Sequence, residues 1–409
     1  MNLVVIGAQW GDEGKGKIVD FLSERSDAIV RYSGGANAGH TIVIDDETYK
    51  LHLVPSGIIN EEKAVILGTG MVVDLDALFS ELQMIEERGI SWEGRVFISE
   101  RAHIVLPVYK NQDKKRETTR KKPIGTTGRG IGITYAHKAY RDGLRVVDMF
   151  EPDIVSEFDD ETQKYIKTYR ERIRSMMISI TDYMDKRRDK NILYEGAQGI
   201  LLDLDLGTYP YVSSGMSSAS GAAVGGGIGP REIDKVIGVF KAYTTRVGNG
   251  PFPSEFIEKG ESELEEYIRE RGREYGVTTG RARRCGYLDL VALRYACKSN
   301  SIGSLALTHL DVYDELEKIK ACTAYQYNGE EFSNFPSANS VLEGAKPVFR
   351  EFSGWQTDIS GCRDFSDLPK QAKIYLEFIE DYTETNIDII SVGYQRKQTI
   401  IRRDPWQKF

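Results

Sequence analysis

Residues 11–17, GDEGKGK, set a carboxylate and two lysines inside a glycine-rich turn, after the apolar run 3–6 and before GGANAGHT at 34–41. That combination suits phosphate. Gly11, Gly14 and Gly16 allow close approach of the backbone, and a following helix N-terminus offers free N–H groups and favours negative charge. Lys15 and Lys17 add formal positive charge. The spacing Gly11 to Gly16-Lys17 fits the opening of a Walker A loop, yet Ile18 stands where that motif needs Ser or Thr to ligate magnesium. Asp12 is then the candidate to hold a metal or move a proton, because a carboxylate beside phosphate repels the ligand unless a cation or a transferable proton gives it a role. The competing reading is an ordinary strand, turn and helix with surface charges.

Three further segments carry related chemistry. IGTTGRGIG at 124–132 supplies the hydroxyls of Thr126 and Thr127 and backbone N–H groups for an anion, with Arg141 just beyond. YEGAQGILLD at 194–203 sets Gln198 among glycines after an apolar run, where an amide can read a carbonyl and a ring nitrogen together. VTTGRARR at 277–284 packs Thr278, Thr279, Arg281, Arg283 and Arg284 into eight residues. Arginine pairs with carboxylates through a bidentate fork, so this density suits a small dicarboxylate or phosphates.

Loops of this kind need a scaffold. The runs 3–6, 64–67, 96–98, 192–193, 236–239, 305–307 and 387–390 have the length and β-branching of buried strands, and helical segments separate many of them. The pattern predicts a single elaborated α/β domain over residues 1–409: a mainly parallel sheet flanked by helices, with ligand loops at the strand carboxyl ends. Residues 150–190 read as a helical excursion, and the basic run 110–122 as a solvated, mobile face beside the phosphate site. At 409 residues, with 40% hydrophobic and 28% charged residues, the composition is that of a globular protein. No apolar run approaches the ~18 residues that span a membrane. The net charge of −8 disfavours a nucleic-acid partner. No export signal precedes the first strand, and Cys285, Cys297, Cys322 and Cys362 form no CxxC pair, so a cytoplasmic location with reduced thiols is expected.

In order along the chain, WGDEGKGK (10–17), NAGHT (37–41), LHLVPSGI (51–58), IGTTGRGIG (124–132), EGAQG (195–199), GTYPYV (207–212), TRVGNGPFP (245–253), TTGRARR (278–284) and IISVG (389–393) closely resemble the adenylosuccinate synthetase family. The resemblance implies a ligase that joins IMP and L-aspartate with GTP hydrolysis through a 6-phosphoryl intermediate. It implies Asp12 as the base at IMP N1, His40 as the acid at O6, and Gln198 as a further catalytic side chain on the purine. Magnesium would be held by Asp12 and the main-chain oxygen of Gly39. GTP would meet Gly11, Asp12, Glu13, Gly14, Lys15, Gly16, Lys17, Gly39, His40, Thr41 and Arg283, with its base at His309, Leu310, Asp311, Ser391, Val392 and Gly393. IMP would meet residues 12–15, Asn37, Ala38, Gly39, His40, Thr127, Gln198, Ser213 and Arg281. Arg141 would arrive from the second subunit of a homodimer. L-aspartate would be held by Val277, Thr278, Thr279, Gly280, Arg281, Ala282 and Arg283.

Departures cluster where the donor base is read. The family's Thr-Lys-Leu-Asp is Thr308-His309-Leu310-Asp311 here, and its Ser-Thr-Gly-Pro is Ser391-Val392-Gly393-Tyr394. Ser213 replaces a threonine, and residues 213–227 diverge. His309 and Tyr394 keep open a sister ligase acting on dGMP with an ATP-type donor, although Asp12 favours IMP. A GTP-binding switch protein is the remoter alternative. Against it, the loop lacks its Ser or Thr, no NKxD sequence occurs, and a switch has no use for Gln198 or the 277–284 arginines.

Overall fold

The structure, a computed structural model, describes residues 1–37, 39–44, 47–121, 123–256, 261–276, 280 and 282–407, without the side chains of 40, 41, 43, 44 and 47. Its centre is a sheet in the order Thr399–Ile401, Ile387–Ser391, Ser304–Thr308, Lys235–Lys241, Asn2–Gly7, Ile192–Gly199, Ala28–Gly34, Ala64–Val73, Val96–Ser99, Met177–Ile178. Every pairing along it is parallel except the first, between Thr399–Ile401 and Ile387–Ser391. All seven apolar runs read as strands fall in this sheet.

Burial on both faces explains why those strands read as continuous apolar runs and not as alternating ones. Val4 and Ile6 belong to one core cluster with Val30, Ile66, Tyr194 and Phe240. Leu3 and Val5 point the other way, into a second cluster with Ile29, Val65, Leu67, Leu193 and Val239. The strand Ala28–Gly34 escaped the sequence reading because Arg31 interrupts it. That side chain is fully buried, with Nη2 donating to Gly35 O at 3.0 Å and Nη1 to His52 O.

Parallel strands end on the same edge. The segments after Gly7, Gly34, Gly199, Lys241, Thr308 and Ser391 therefore share one rim, which is where an open α/β sheet places its ligands. The 150–190 excursion contains helices Pro152–Ser156, Asp160–Arg174 and Ile180–Asp185, but also the short strand Met177–Ile178 that closes the sheet's far edge. Most of the basic run 110–122 lies on the helix Pro107–Thr119. Among the described residues no helix is long and apolar enough to cross a membrane. All four cysteines are unpaired.

Candidate active site

The turn after Gly7 is built around Glu13. Its carboxylate, fully buried, folds under the loop and accepts from Gln9 N at 3.1 Å, Gly11 N at 2.8 Å and Lys15 Nζ at 2.7 Å. A Cβ on Gly7 or on Gly199 would lie 2.4 Å from a Glu13 carboxylate oxygen, so both must be glycine. Gly11, Asp12 and Gly14 all take positive φ, at 85°, 58° and 80°. For Asp12 that conformation is uncommon, and such strain concentrates at functional sites. Gly14 precedes the helix Lys15–Ser23 with no side-chain cap, which leaves the helix start open to an anion. Thr308 Oγ1 donates to Glu13 O at 2.6 Å and ties the loop to the strand Ser304–Thr308, two places along the sheet.

Asp12 ends a line of buried charges. Arg283 Nε donates to Asp12 Oδ2 and Arg283 Nη1 to Glu274 Oε2, both at 2.7 Å. Glu274 Oε1 accepts from Lys241 Nζ and from the Tyr243 hydroxyl, each at 2.5 Å. Burial alone would raise the Glu274 pKa, but the charges of Lys241 and Arg283 outweigh it and hold the carboxyl down to about 2. Two cations and two anions thus compensate each other, with only Asp12 partly open to solvent. Glu274, Lys241 and Tyr243 were not found from sequence. A lone Glu in GREYG carries no spacing signal, and only the fold brings it to Arg283.

At the donor-base end, Asp311 begins the second position of a short turn, Leu310–Tyr313, and burial raises its pKa while Lys17 opposes that. His309 takes a left-handed conformation, φ 57°, which turns its ring to the buried cluster, with Nδ1 3.4 Å from the Tyr243 hydroxyl. Burial and then Lys241 lower its pKa to about 3, so it is neutral at physiological pH. Tyr394 is half exposed, and the Arg273 guanidinium lies 5.0 Å from its ring centre. Lys17 Nζ reaches Ser391 Oγ at 2.6 Å and Gly393 O at 2.7 Å, which brings the 391–393 segment against the phosphate-loop helix.

On the other side of the loop, Gln198 is the penultimate residue of the strand Ile192–Gly199, at φ 56°, and a Cβ on Gly11 would lie 3.8 Å from its Cα. Gln198 Oε1 and Asn37 Oδ1 are buried without a hydrogen-bond partner among the described residues. The 34–37 turn is held from outside: Tyr135 OH accepts from Gly34 N at 3.0 Å, and Arg129 Nη1 donates to Ala36 O at 2.6 Å. Neither Tyr135 nor Arg129 stood out in the sequence. Of the two threonines, Thr126 contacts the buried carboxylate of Asp113 at 3.2 Å, whereas Thr127 is exposed. Ser213 Oγ accepts from Gly215 N at 3.4 Å. Arg141 sits exposed at the end of the helix Ile131–Tyr140, beside Tyr140, which is 79% exposed. Gly39 immediately precedes the strand His40–Ile44, whose backbone pairs His40 with Leu51 and Thr41 with Lys50. Gly280 is in a turn at φ 64°, and Ala282 bridges to Tyr275. Ala38, Val277, Thr278, Thr279 and Arg281 lie outside the described residues.

A phosphate loop at the centre of a parallel sheet, with a carboxylate inside it and an unfilled amide beside it, defines a nucleotide-dependent enzyme that acts on a polar base. The comparisons specify it. The adenylosuccinate synthetase family model matches residues 4–400. The synthetase of Clostridium novyi is 45% identical, covering 97% of this chain and 98% of the relative, and that of Thermodesulfovibrio yellowstonii is 44% identical, covering 99% of each. Among solved structures, fully ligated adenylosuccinate synthetase from Plasmodium falciparum superimposes with a TM-score of 0.92 at 38% identity, over 98% of this chain and 99% of that one. The cyanophage S-2L succinoaminodeoxyadenylate synthetase, bound to dGMP and dATP, reaches a TM-score of 0.65 at 18% identity over 99% and 96%, a likeness of fold alone. The chain belongs to the adenylosuccinate synthetase family. It is a GTP-dependent ligase of purine biosynthesis that forms adenylosuccinate from IMP and L-aspartate.

Proposed function

We propose that Asp12 is the base of this reaction and that the chemistry passes through 6-phosphoryl-IMP. Asp12 removes the N1 proton of IMP, and O6 attacks the γ-phosphorus of GTP as the bond to the β-phosphate breaks and GDP leaves. His40 stabilises the charge that develops during transfer. The amine of L-aspartate then attacks C6, and O6 departs with the phosphoryl group as inorganic phosphate. The observation that carries this reading is the proximity of the two segments, a Cβ on Gly11 coming within 3.8 Å of Gln198 Cα, so that the loop bearing Asp12 lies beside an amide whose oxygen has no partner among the described residues. A purine between them would fill that oxygen and meet the carboxylate.

The remaining assignments rest on the family's motifs. Residues 11–16 with Gly39, Thr41 and Arg283 serve the GTP phosphates, and Lys17 with 309–311 and 391–393 serves the base side. Asn37, Ala38, Thr127, Ser213 and Arg281 serve IMP, and 277–283 the carboxylates of L-aspartate. The described residues contain no group of three or more acidic, histidine or cysteine side chains able to cage a metal. Magnesium asks for less, since it keeps several waters and takes one or two carboxylates plus substrate phosphates. Arg283 occupies Asp12 Oδ2, so Oδ1 remains for a cation, with Gly39 O as the second protein ligand. When bound, magnesium neutralises charge on the transferring phosphoryl group. Arg141, exposed and free of an ion pair among the described residues, fits a role in the partner's IMP site in a homodimer. Four unpaired cysteines fit the cytoplasm.

The test is to supply IMP or dGMP, GTP or ATP, magnesium and L-aspartate in all combinations and identify the product by mass. Adenylosuccinate from IMP and GTP alone supports the reading. A 2-amino product from dGMP at higher kcat/KM overturns it.

A further inference from the structure

Lys17 lies in the phosphate loop by sequence, but its ammonium points elsewhere. Nζ donates to Ser391 Oγ at 2.6 Å, to Gly393 O at 2.7 Å and to Gln398 O at 3.0 Å, so all three of its protons are engaged. The acceptors belong to the turn that joins the strands Ile387–Ser391 and Thr399–Ile401. Lys17 braces a turn that also has hydrogen bonds of its own. Ser391 Oγ donates to Gly393 O at 2.8 Å, Val392 N to Gln398 O at 3.0 Å, and Gln395 N to Gln398 Oε1 at 3.1 Å. The Gly393 and Gln398 carbonyls and the Ser391 hydroxyl of this small network all receive Lys17 as well. One helical turn further on, Arg396 from the same loop pairs with Asp20 at 2.6 Å and Glu24 at 2.7 Å, so the helix grips the loop at two points. Burial lowers the Lys17 pKa to about 7, and the charge of Asp311 opposes that fall.

We propose that Lys17 is a positioning residue for the purine of the donor and not a ligand of its phosphates: it fixes the 391–393 edge beside Asp311, so that the helix receiving the phosphates also sets guanine selectivity. The inference rests on the reading of 309–311 and 391–393 as the base pocket. A lysine aimed at phosphate would leave protons free for it. This one has none to give without releasing the loop.

Competitive inhibition separates the two ends of the nucleotide. Guanosine carries only the base and ribose, and inorganic tripolyphosphate carries only the phosphates. Lys17→Met is expected to weaken guanosine inhibition and to shrink the GTP-to-ATP ratio of kcat/KM by about tenfold, the scale of one lost charge-assisted hydrogen bond. Inhibition by tripolyphosphate should change less than about threefold on the same scale. Ser391→Ala, which removes one acceptor and keeps the lysine, should move the same two readouts in the same direction by a smaller factor and remains informative if Lys17→Met misfolds. Weakened tripolyphosphate binding with intact guanosine binding in either variant overturns the proposal. Asp311→Asn is the control for the underlying reading: if it leaves the GTP-to-ATP ratio unchanged, the base pocket itself is misplaced, whereas a ratio that responds to Asp311 but not to Lys17 or Ser391 overturns the positioning role alone.

Discussion

The two sides of the phosphate loop are prepared differently. On the donor side, Glu13, Lys15, Thr308 and Lys17 already have partners, and the turn keeps its shape by its own hydrogen bonds. On the acceptor side, Gln198 Oε1 and Asn37 Oδ1 are buried without partners among the described residues, although the 34–37 backbone around them is pinned by Tyr135 and Arg129. Leaving a buried polar atom unpaired costs about 1–3 kcal/mol, so a fold retains such atoms where a ligand satisfies them. The donor side binds by preorganisation. On the proposed reading, the acceptor side gains its last hydrogen bonds from the substrate.

The largest effect should come from the residue where the sides meet. Asp12→Asn keeps a side chain that Arg283 can orient but removes the base, so kcat should fall about 10²- to 10⁴-fold while circular dichroism and thermal unfolding stay near wild type. A near-normal kcat would remove Asp12 from the chemistry. Next is Arg141, whose exposure means that its loss should spare stability. Arg141→Leu should raise the KM for IMP by roughly 10- to 100-fold, as expected for a charged hydrogen bond to a phosphate. Mixed with Asp12→Asn, it should regain activity, because a hybrid dimer holds one site with both wild-type groups. Absence of rescue despite proven subunit exchange would confine the acceptor site to one subunit.

Donor selectivity comes third. Asp311 can accept two guanine protons, and an adenine facing it would lose both, a difference on the order of 1–3 kcal/mol. Wild-type enzyme should therefore prefer GTP, and Asp311→Asn should shrink the preference mainly by weakening GTP. Equal use of ATP by the wild type would contradict this. The smallest effect concerns the buried charges behind Asp12. The folded pKa of Glu274, about 2, lies below its unfolded value of 4.5, so its contribution is complete above about pH 4.5 and is lost as pH falls through about 2. Thermal unfolding of wild type and Glu274→Gln should thus converge as the pH drops across that window. A constant difference would mean that the carboxylate is not held ionised by Lys241 and Arg283.

Legibility in the sequence followed the same division. Glycines at positive φ, a strand-to-helix turn and fully buried strands leave local marks, so residues 11–17 and seven strands could be read directly. Arg31 hid a central strand, because a buried charge with partners from 35 and 52 is invisible until the chain is folded. Glu274, Lys241 and Tyr243 meet Arg283 only through sheet order. His309 reads in the sequence as a base-pocket residue, but that its left-handed backbone turns the ring to Tyr243 carries no local signal.

The most direct test of the acceptor-side chemistry follows one oxygen. With IMP carrying ¹⁸O at position 6, a single turnover with GTP and L-aspartate should release inorganic phosphate that contains the label, because O6 leaves bonded to phosphorus. Label found in water, with unlabelled phosphate, would contradict a phosphorylated O6 and the role given to Asp12.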